Sequence, residues 1–566
     1  MFHRLVALLA VALASAPALA QQSTLYEGGK VFTARDDRPF VEAFVVRGGK
    51  VAATGSTGDL RLLFPHARRV DLKGMTVVPT LNDSHAHVAK LTDERFIVGP
   101  HPSTWAPDGG PTVQEWVVYI SERAAQSPAG TPIVGYYGRR LYEDLNAMGV
   151  TARDFLDSIT TQHPVVLLEW SGHASASNSA ALDAADIRDF QPDPFGGWGG
   201  RDDTGRLTGV LQEYAILPLV RYLSRMVPDA HYVSQYGGWV AGAESVGVGE
   251  THDYIFVDEG ERFAPVIQQL PRPDAIVPHC IITRAGQQCA PGPDGIIRRK
   301  VFSDGTQVAC SAYVTAAYLR PEWCPTGFDV NAGYGIKNLT DAQMDWAIDD
   351  TLQRGGMLSV HAIGDAGIEH ILSRLEARPG VNWKGKVSIE HFNVTGESHV
   401  KRAKRLKVSI SGMGTHQFLI PSMMVEQHPG HLHTHALKLR SLLTPELDDD
   451  GVTVLEPLTL ALGSDAFGPH APSPWLDAMF LVTAPFNPTE ALSMEQVVRA
   501  YTRGTAEARL RADVGVLAAG KRANFAVLSQ DVFAVTPDKL PKTGSVLTVI
   551  DGAVRWNTGV LDLSVP

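Results

Sequence analysis

Residues Met357–Leu375, MLSVHAIGDAGIEHILSRL, leave little choice of architecture. An apolar strand, Met357–Val360, runs into a Gly-containing turn and then a helix whose Ile368, Ile371, Leu372 and Leu375 recur at helical spacing on one face. KVSIEH, LKVSIS and TLALGSDAF follow as further short apolar strands, at intervals of about 20 to 50 residues that suit βα units. Such repetition predicts an α/β chain, a parallel (β/α)8 barrel of the TIM type, with its site on the carboxyl-terminal face of the strands. A doubly wound open sheet is the alternative, and no Gly-rich phosphate loop supports it.

The strand ends carry the chemistry. His361 follows MLSV, His391 follows VSIE, and Asp465 follows LALGS. Upstream, Gly74–Val88 reads GMTVVPTLNDSHAHV: an apolar strand, a Pro, a turn, then His85 and His87. Alternate residues of a strand face one way, so these two imidazoles share a side, as a pair of metal ligands requires. With 20 His in the chain, chance alone supplies roughly 0.7 His-x-His, so context has to decide. His431, His433 and His435 in QHPGHLHTHAL make two more such pairs, but these follow a Pro-Gly turn with no strand before it and read as a polar loop.

Converging in one barrel, His85, His87, His361, His391 and Asp465 make a nitrogen-and-oxygen ligand set suited to Zn, with Asp465 also able to take a proton from bound water. Lys300, in IIRRKVFSDGT, is either part of an exposed basic run or an inward residue facing the same way as Arg298 and Phe302; a Lys in a low-dielectric site becomes neutral and reactive.

The two ends of the chain speak a different grammar. KVFTA, EAFVVRGGKVAATG and ARRVDL near the start, and GKRANFAVLSQDVF, SVLTVIDGAVRWNTG and VLDL near the end, alternate apolar and polar residues between turns, so the ends are expected to pair into one small β domain. The first residues, MFHRLVALLAVALASAPALAQQ, have a basic start, an apolar run and an Ala18-Leu19-Ala20 cleavage signal, which predicts a secretory signal peptide over residues 1–20. The mature chain is therefore expected to be periplasmic or secreted. No later stretch approaches the roughly 20 apolar residues of a membrane span, so no membrane partner is expected. In that oxidising compartment the four cysteines read as disulfides; Cys280–Cys289 and Cys310–Cys324 are the favoured two of three pairings.

A length of 566 residues suits a barrel enzyme with insertions, and a 44% hydrophobic fraction gives it a sizeable core. The net charge of −11, with no basic block, argues against nucleic acid as a partner.

At these residues the chain resembles the amidohydrolase superfamily, specifically amidohydrolase family 3, the branch of N-substituted formamide deformylase-like enzymes. The resemblance rests on VVPTLNDSHAHV, SGHASASNSAAL, GRLTGVLQE, RKVFSDGT, SVHAIGDAGIEHIL, SIEHFN, LGSDAF and AYTRGTAEARLRADVGVLAAGKRANFAVL. It implies a barrel over residues 79–510 beside a composite β-sandwich from 21–78 and 511–566. It also implies a divalent metal site of one or two ions, with His85, His87, His361 and His391 as ligands and Asp465 as acid-base. Lys300 matches the position that can be carbamylated and bridge two metals. His173, Asn178 and Glu213 match positions that would bind substrate, and His252 and His416 follow apolar runs of their own. Ala466-Phe467 departs from the commoner residue-then-Pro after Gly-Ser-Asp, which touches pocket shape. The expected activity is hydrolysis of a carbon–nitrogen bond in a small non-peptide amide or an N-acyl or N-formyl amine, with homo-oligomer formation left open. A lactonase, esterase or phosphotriesterase could use the same ligands, and a metal-free periplasmic binding protein is the non-enzymatic reading.

Overall fold

A computed structural model of the chain describes residues 23–564, apart from 90–93, 105–108, 256–261, 293, 326–332, 434–436, 468–470 and 472. The expected signal peptide lies outside the described residues.

Nine parallel strands form the main sheet. We label the first eight in chain order: β1 (Leu81–His87), β2 (Val248–Tyr254), β3 (Ile276–Ile281), β4 (Arg298–Phe302), β5 (Met357–Ala362), β6 (Val387–His391), β7 (Ser409–Met413) and β8 (Leu460–Gly463). Each pairs in parallel with the next, and the ninth strand, Ala466–Phe467, pairs with β1. Only Ser464 and Asp465 separate β8 from that ninth strand, so the two ends of the sheet meet and it curls into a TIM-like barrel. The closure is tight at Gly463, where an added Cβ would stand 2.6 Å from the His85 amide nitrogen, closer than a side chain tolerates.

The helices follow from apolar periodicity. Asp365–Glu376 buries Ile368, Ile371, Leu372 and Leu375 completely against the sheet, as its spacing predicts. Helices also stand between β2 and β3, β4 and β5, β6 and β7, and β7 and β8. Between β3 and β4 none is found among the described residues; a loop closed by Cys280–Cys289 makes that crossing, with Cα atoms 5.8 Å apart. Cys310 pairs with Cys324, so both expected disulfides form.

The strand expected over Met75–Val78 belongs elsewhere. Thr76–Pro79 pairs with Phe525–Leu528 from the far end of the chain, and the barrel strand begins two residues later at Leu81. What read as a turn before the histidines is therefore β1 itself. Its Asn82, Asp83 and Ser84 hide it from an apolar count; all three are buried, Asp83 against the Ser464 hydroxyl and Ser84 against that of Ser411. The six-stranded sheet containing Thr76–Pro79 draws strands from both chain ends, and a four-stranded sheet over residues 24–71 lies beside it. One apolar cluster, including Tyr26, Phe44, Val77, Phe525 and Leu547, takes in residues of both sheets.

A fourth sheet, of five strands, is inserted between β1 and β2. Its order is Gly197–Arg201, Leu207–Glu213, Ala174–Ser177, Val165–Glu169, Ile133–Tyr137. No helix of the described residues is long and apolar enough to cross a membrane. His431 and His433 fall in a short helix, Gly430–His433, rather than in the polar loop expected there; His435 lies outside the described residues.

Candidate metal centre

Seven-residue β1 points His85 and His87 to one side, and each ring is fixed by its Nδ1. His85 Nδ1 is 2.8 Å from Glu390 Oε2, and His87 Nδ1 is 2.7 Å from the Tyr254 carbonyl. A ring that donates Nδ1–H to such an acceptor keeps its lone pair on Nε2, and both Nε2 atoms turn toward Asp465 Oδ1, at 3.5 and 3.4 Å. Asp465 sits between β8 and the closing strand with its amide donating to the His85 carbonyl at 2.7 Å. Its other oxygen, Oδ2, is 3.7 Å from His391 Nδ1 and 3.7 Å from His416 Nε2.

Two groups of possible ligands thus share one carboxylate: His85, His87 and Asp465, and His391, His416 and Asp465. His361 stands beside them with its ring centroid 4.4 Å from that of His391; its Nε2 is 3.2 Å from the Gly305 carbonyl, which leaves Nδ1 with the lone pair. The residues fit a divalent metal on their own chemistry. Among the described residues the Nδ1 of His391 is buried without a hydrogen-bond partner, a costly state for a polar atom unless something else binds it. Burial holds the imidazoles neutral, as ligands must be: His85 is pushed down to about 3, with Lys300 assisting, and His361 and His391 fall well below the usual histidine range. Burial alone would raise Asp465, but the surrounding histidines outweigh it and hold the carboxylate ionised well below its ordinary range.

Backbone strain marks the same positions. His391 and Asp465 adopt positive φ angles of 73° and 52°, and Glu213 one of 54°, a region side-chain-bearing residues enter at a cost and keep where function or packing demands it.

Behind the ligands lies a charged layer that sequence reading did not find. Glu390, next to His391, receives both His85 and a double contact from Arg509 at 2.9 and 3.1 Å. Although burial would raise it, Arg509 first and His85 and Lys300 after it hold the carboxylate well below its usual range. Asp83 accepts from the Ser464 hydroxyl at 2.6 Å and from the amides of Ser464 and His85, tying β1 to the loop that carries Asp465. Asp304 of the RKVFSDGT stretch accepts the amides of Ile363 and Gly364 and so fixes the turn after His361.

Lys300 is buried, not part of an exposed run. Its Nζ has no hydrogen-bond partner among the described residues and lies over the rings of Tyr254 and Phe302, 4.4 and 4.9 Å from their centroids. Burial pulls its ammonium down to about 7, against the opposing pull of Glu390 and Asp465. Arg299, pointing the other way, bonds Asp350.

The centre floors a cleft between the barrel mouth and the inserted sheet. Trp170, Ser171 and His173 come from the insertion; Phe302, Ile363, Leu419, Met423 and Phe467 give the walls an apolar character. Phe467 stacks on His87 with centroids 4.5 Å apart, so the departure from the family pattern after Asp465 does shape the pocket. His173 lines the cleft, with Nδ1 2.9 Å from Glu213 Oε2. Glu213 stands behind it and also accepts from Ser311. Asn178 does not line the cleft. Its carboxamide accepts from the Val165 and Ala181 amides and donates to the Thr160 and His163 carbonyls, which caps the helix Ser179–Ala184. His252 is likewise away from the cleft, between Glu250 and His279 in the barrel interior.

The Amidohydrolase family model matches residues 68–248 and 284–555 of the chain. The chain is similar to the N-substituted formamide deformylase of Arthrobacter pascens, 26% identical over 550 residues that cover 91% of this chain and 95% of that one. It is 24% identical over 559 residues to the YtcJ protein of Bacillus subtilis, covering 94% and 99% of the two chains. Among solved structures, a metal-dependent hydrolase from Pyrococcus horikoshii has the same fold, with a TM-score of 0.63 and 19% identity over 91% of this chain and 99% of that one.

Proposed function

The chain belongs to the amidohydrolase family, and from that premise we propose that it is an exported, metal-dependent hydrolase that cleaves the carbon–nitrogen bond of a small N-acyl or N-formyl amine. The observation that carries the reading is the aim of His85 and His87: both Nδ1 atoms are held by acceptors, and both Nε2 atoms turn onto one carboxylate at the carboxyl-terminal mouth of the barrel. The relative from Arthrobacter pascens, named for deformylation of N-substituted formamides, supports amides over other substrates. The apolar walls of the cleft suit a neutral substituent on the nitrogen.

His85, His87, His361, His391 and Asp465 would hold the metal, which we take to be Zn from the balance of nitrogen and oxygen donors. Lys300, an amine of lowered basicity in the same wall, would add a further carboxylate if carbamylated. A divalent metal held there would make water acidic enough to attack near neutral pH and would polarise the scissile carbonyl. Asp465 takes the proton from the attacking water and passes it to the leaving nitrogen, a transfer its position between four imidazoles allows without moving its backbone. His173, steadied by Glu213, contacts the substrate from the insertion side, and Ser171 and Trp170 shape the space above the reacting bond.

We read the two terminal sheets as one β-sandwich over 21–78 and 511–566, and 79–510 as the catalytic barrel. Export rests on the character of residues 1–20. The test is a panel of N-formyl amines, other amides, lactones and phosphotriesters offered to the metal-loaded protein. Turnover of amides at least 10²-fold above the other classes is expected; preference for lactones or phosphotriesters overturns the assignment.

A further inference from the structure

We propose that Gln307 reads the substrate by the hydrogen on its amide nitrogen, which makes the cleft selective for secondary N-acyl or N-formyl amines over their tertiary counterparts. The proposal rests on the amide-hydrolase reading above and deepens it, because it says which amides are taken.

Gln307 lines the cleft beside Thr306 and Val308, on the loop that follows β4. Its side chain is buried, yet neither Oε1 nor Nε2 has a hydrogen-bond partner among the described residues. A carboxamide held in that state destabilises the free fold, and a ligand that bonds it removes the penalty. Its polar neighbours in the cleft are engaged. Ser171 Oγ meets Glu169 and is 3.1 Å from Thr306 Oγ1, and His173 Nδ1 is 2.9 Å from Glu213.

The backbone under Gln307 is fixed at several points. Its carbonyl accepts the Cys310 amide at 3.0 Å, the Thr306 carbonyl accepts the amides of Ser311 and Ala312, and the Ala309 carbonyl accepts the Gln212 side-chain amide at 2.7 Å. The Cys310–Cys324 disulfide fastens the same segment. Two residues before Gln307, the Gly305 carbonyl is 3.2 Å from His361 Nε2, which ties the loop to the imidazoles of the metal centre.

A carboxamide offers one acceptor and two donors. With neither atom bonded, Oε1 can be turned to a ligand without breaking a bond. The walls around it, Phe302, Ile363 and Met423 among them, bring apolar side chains, so an amide N–H placed there finds in Oε1 an acceptor that nothing else claims. A tertiary amide has no such hydrogen and leaves Oε1 unpaired. The same bond fixes the plane of the scissile nitrogen, and with it the direction of the lone pair that must take the proton from Asp465 as the carbon–nitrogen bond breaks.

The test compares N-butylformamide with N-butyl-N-methylformamide on metal-loaded protein, reading formate release. The quantity that decides is the ratio of the two kcat/KM values, in the wild type and in Gln307→Met, which keeps the length of the side chain and removes its acceptor and donors. That ratio should fall about 10- to 100-fold in the variant, through loss of activity on the secondary amide. Simple crowding of the extra methyl group would leave it unchanged. Metal content should stay the same and the melting temperature should hold or rise, since an unbonded buried carboxamide is replaced by an apolar chain. If Gln307→Met does not fold, the same ratio in Gln307→Ser decides. A ratio unchanged from wild type overturns the proposal and leaves the amide-hydrolase reading intact; turnover of neither formamide, with lactones or phosphotriesters accepted instead, overturns both.

Discussion

Asp465 is the single side chain on which the chemistry of the cleft depends most. Asp465→Asn preserves size, and Asn tolerates the positive φ found there, so the fold should survive while the base is lost. General acid-base assistance is typically worth about 10²–10⁴ in rate, so kcat should fall at least about 10²-fold with little change in melting temperature; near wild-type kcat in the metal-loaded variant would remove Asp465 from the mechanism. Lys300 tests the opposite balance. Its folded pKa near 7 lies below the 10.5 of an exposed lysine, so the folded state binds fewer protons between those values. Its penalty is full below about pH 7, shrinks as pH rises and vanishes above 10.5, which makes stability climb with pH across that window. Chelator-stripped Lys300→Met should therefore be more stable than wild type at pH 7, by up to about 5 kcal/mol from the size of the shift. Denaturant unfolding at pH 7 and pH 10 should show the advantage narrowing; an equal advantage at both would contradict it. The alternation that joined His85 to His87 was legible in the sequence. The isolation of Lys300 was not, because burial among the rings of Tyr254 and Phe302 is set by neighbours from other strands.

Elements, more than residues, decide which matched motifs touch substrate. SGHASASNSAAL divides its labour: His173 reaches the cleft, while Asn178, five residues on, makes four hydrogen bonds that hold the helix Ser179–Ala184 and the start of Val165–Glu169. Asn178→Ala should cost about 2–4 kcal/mol in stability, since a lost cap and two freed carbonyls add up, yet leave KM and metal content unchanged. A raised KM with intact stability would put Asn178 back at the substrate. The strand expected at Met75–Val78 shows the same limit. Apolar content located a strand correctly but assigned it to the wrong sheet, because the six-stranded terminal sheet and the barrel meet at Thr80 and only the polar strand after it enters the barrel. His416 was visible as a histidine after a short strand, but nothing local distinguished it from His252; only the packing of the helix His416–Gln427 over the barrel mouth brings its Nε2 to Asp465.

Across the whole molecule, the barrel was readable because βα spacing recurs, and the ligand set because each member stands at the end of a strand or just beyond it. The layer behind it was not, since Glu390 and Arg509 are 119 residues apart and meet only when the barrel closes. The inserted sheet that walls the cleft was likewise beyond a reading that matched its motifs one at a time. The two disulfides, by contrast, close short loops that the cysteine spacing alone favoured. Opening Cys280–Cys289 by replacing both residues with Ser should cost about 3 kcal/mol, the chain-entropy value for so short a loop, while leaving metal content intact because the loop replaces a helix at the barrel's outer side; loss of metal would show that β3 and β4 depend on it. Whether this cleft works through a bound divalent metal is decided by elemental analysis of active protein paired with chelation and reloading. At least one divalent ion per chain is expected, with amine release from an N-formyl amine abolished on stripping and restored by Zn²⁺. Full activity in protein that holds well below one metal per chain would contradict it.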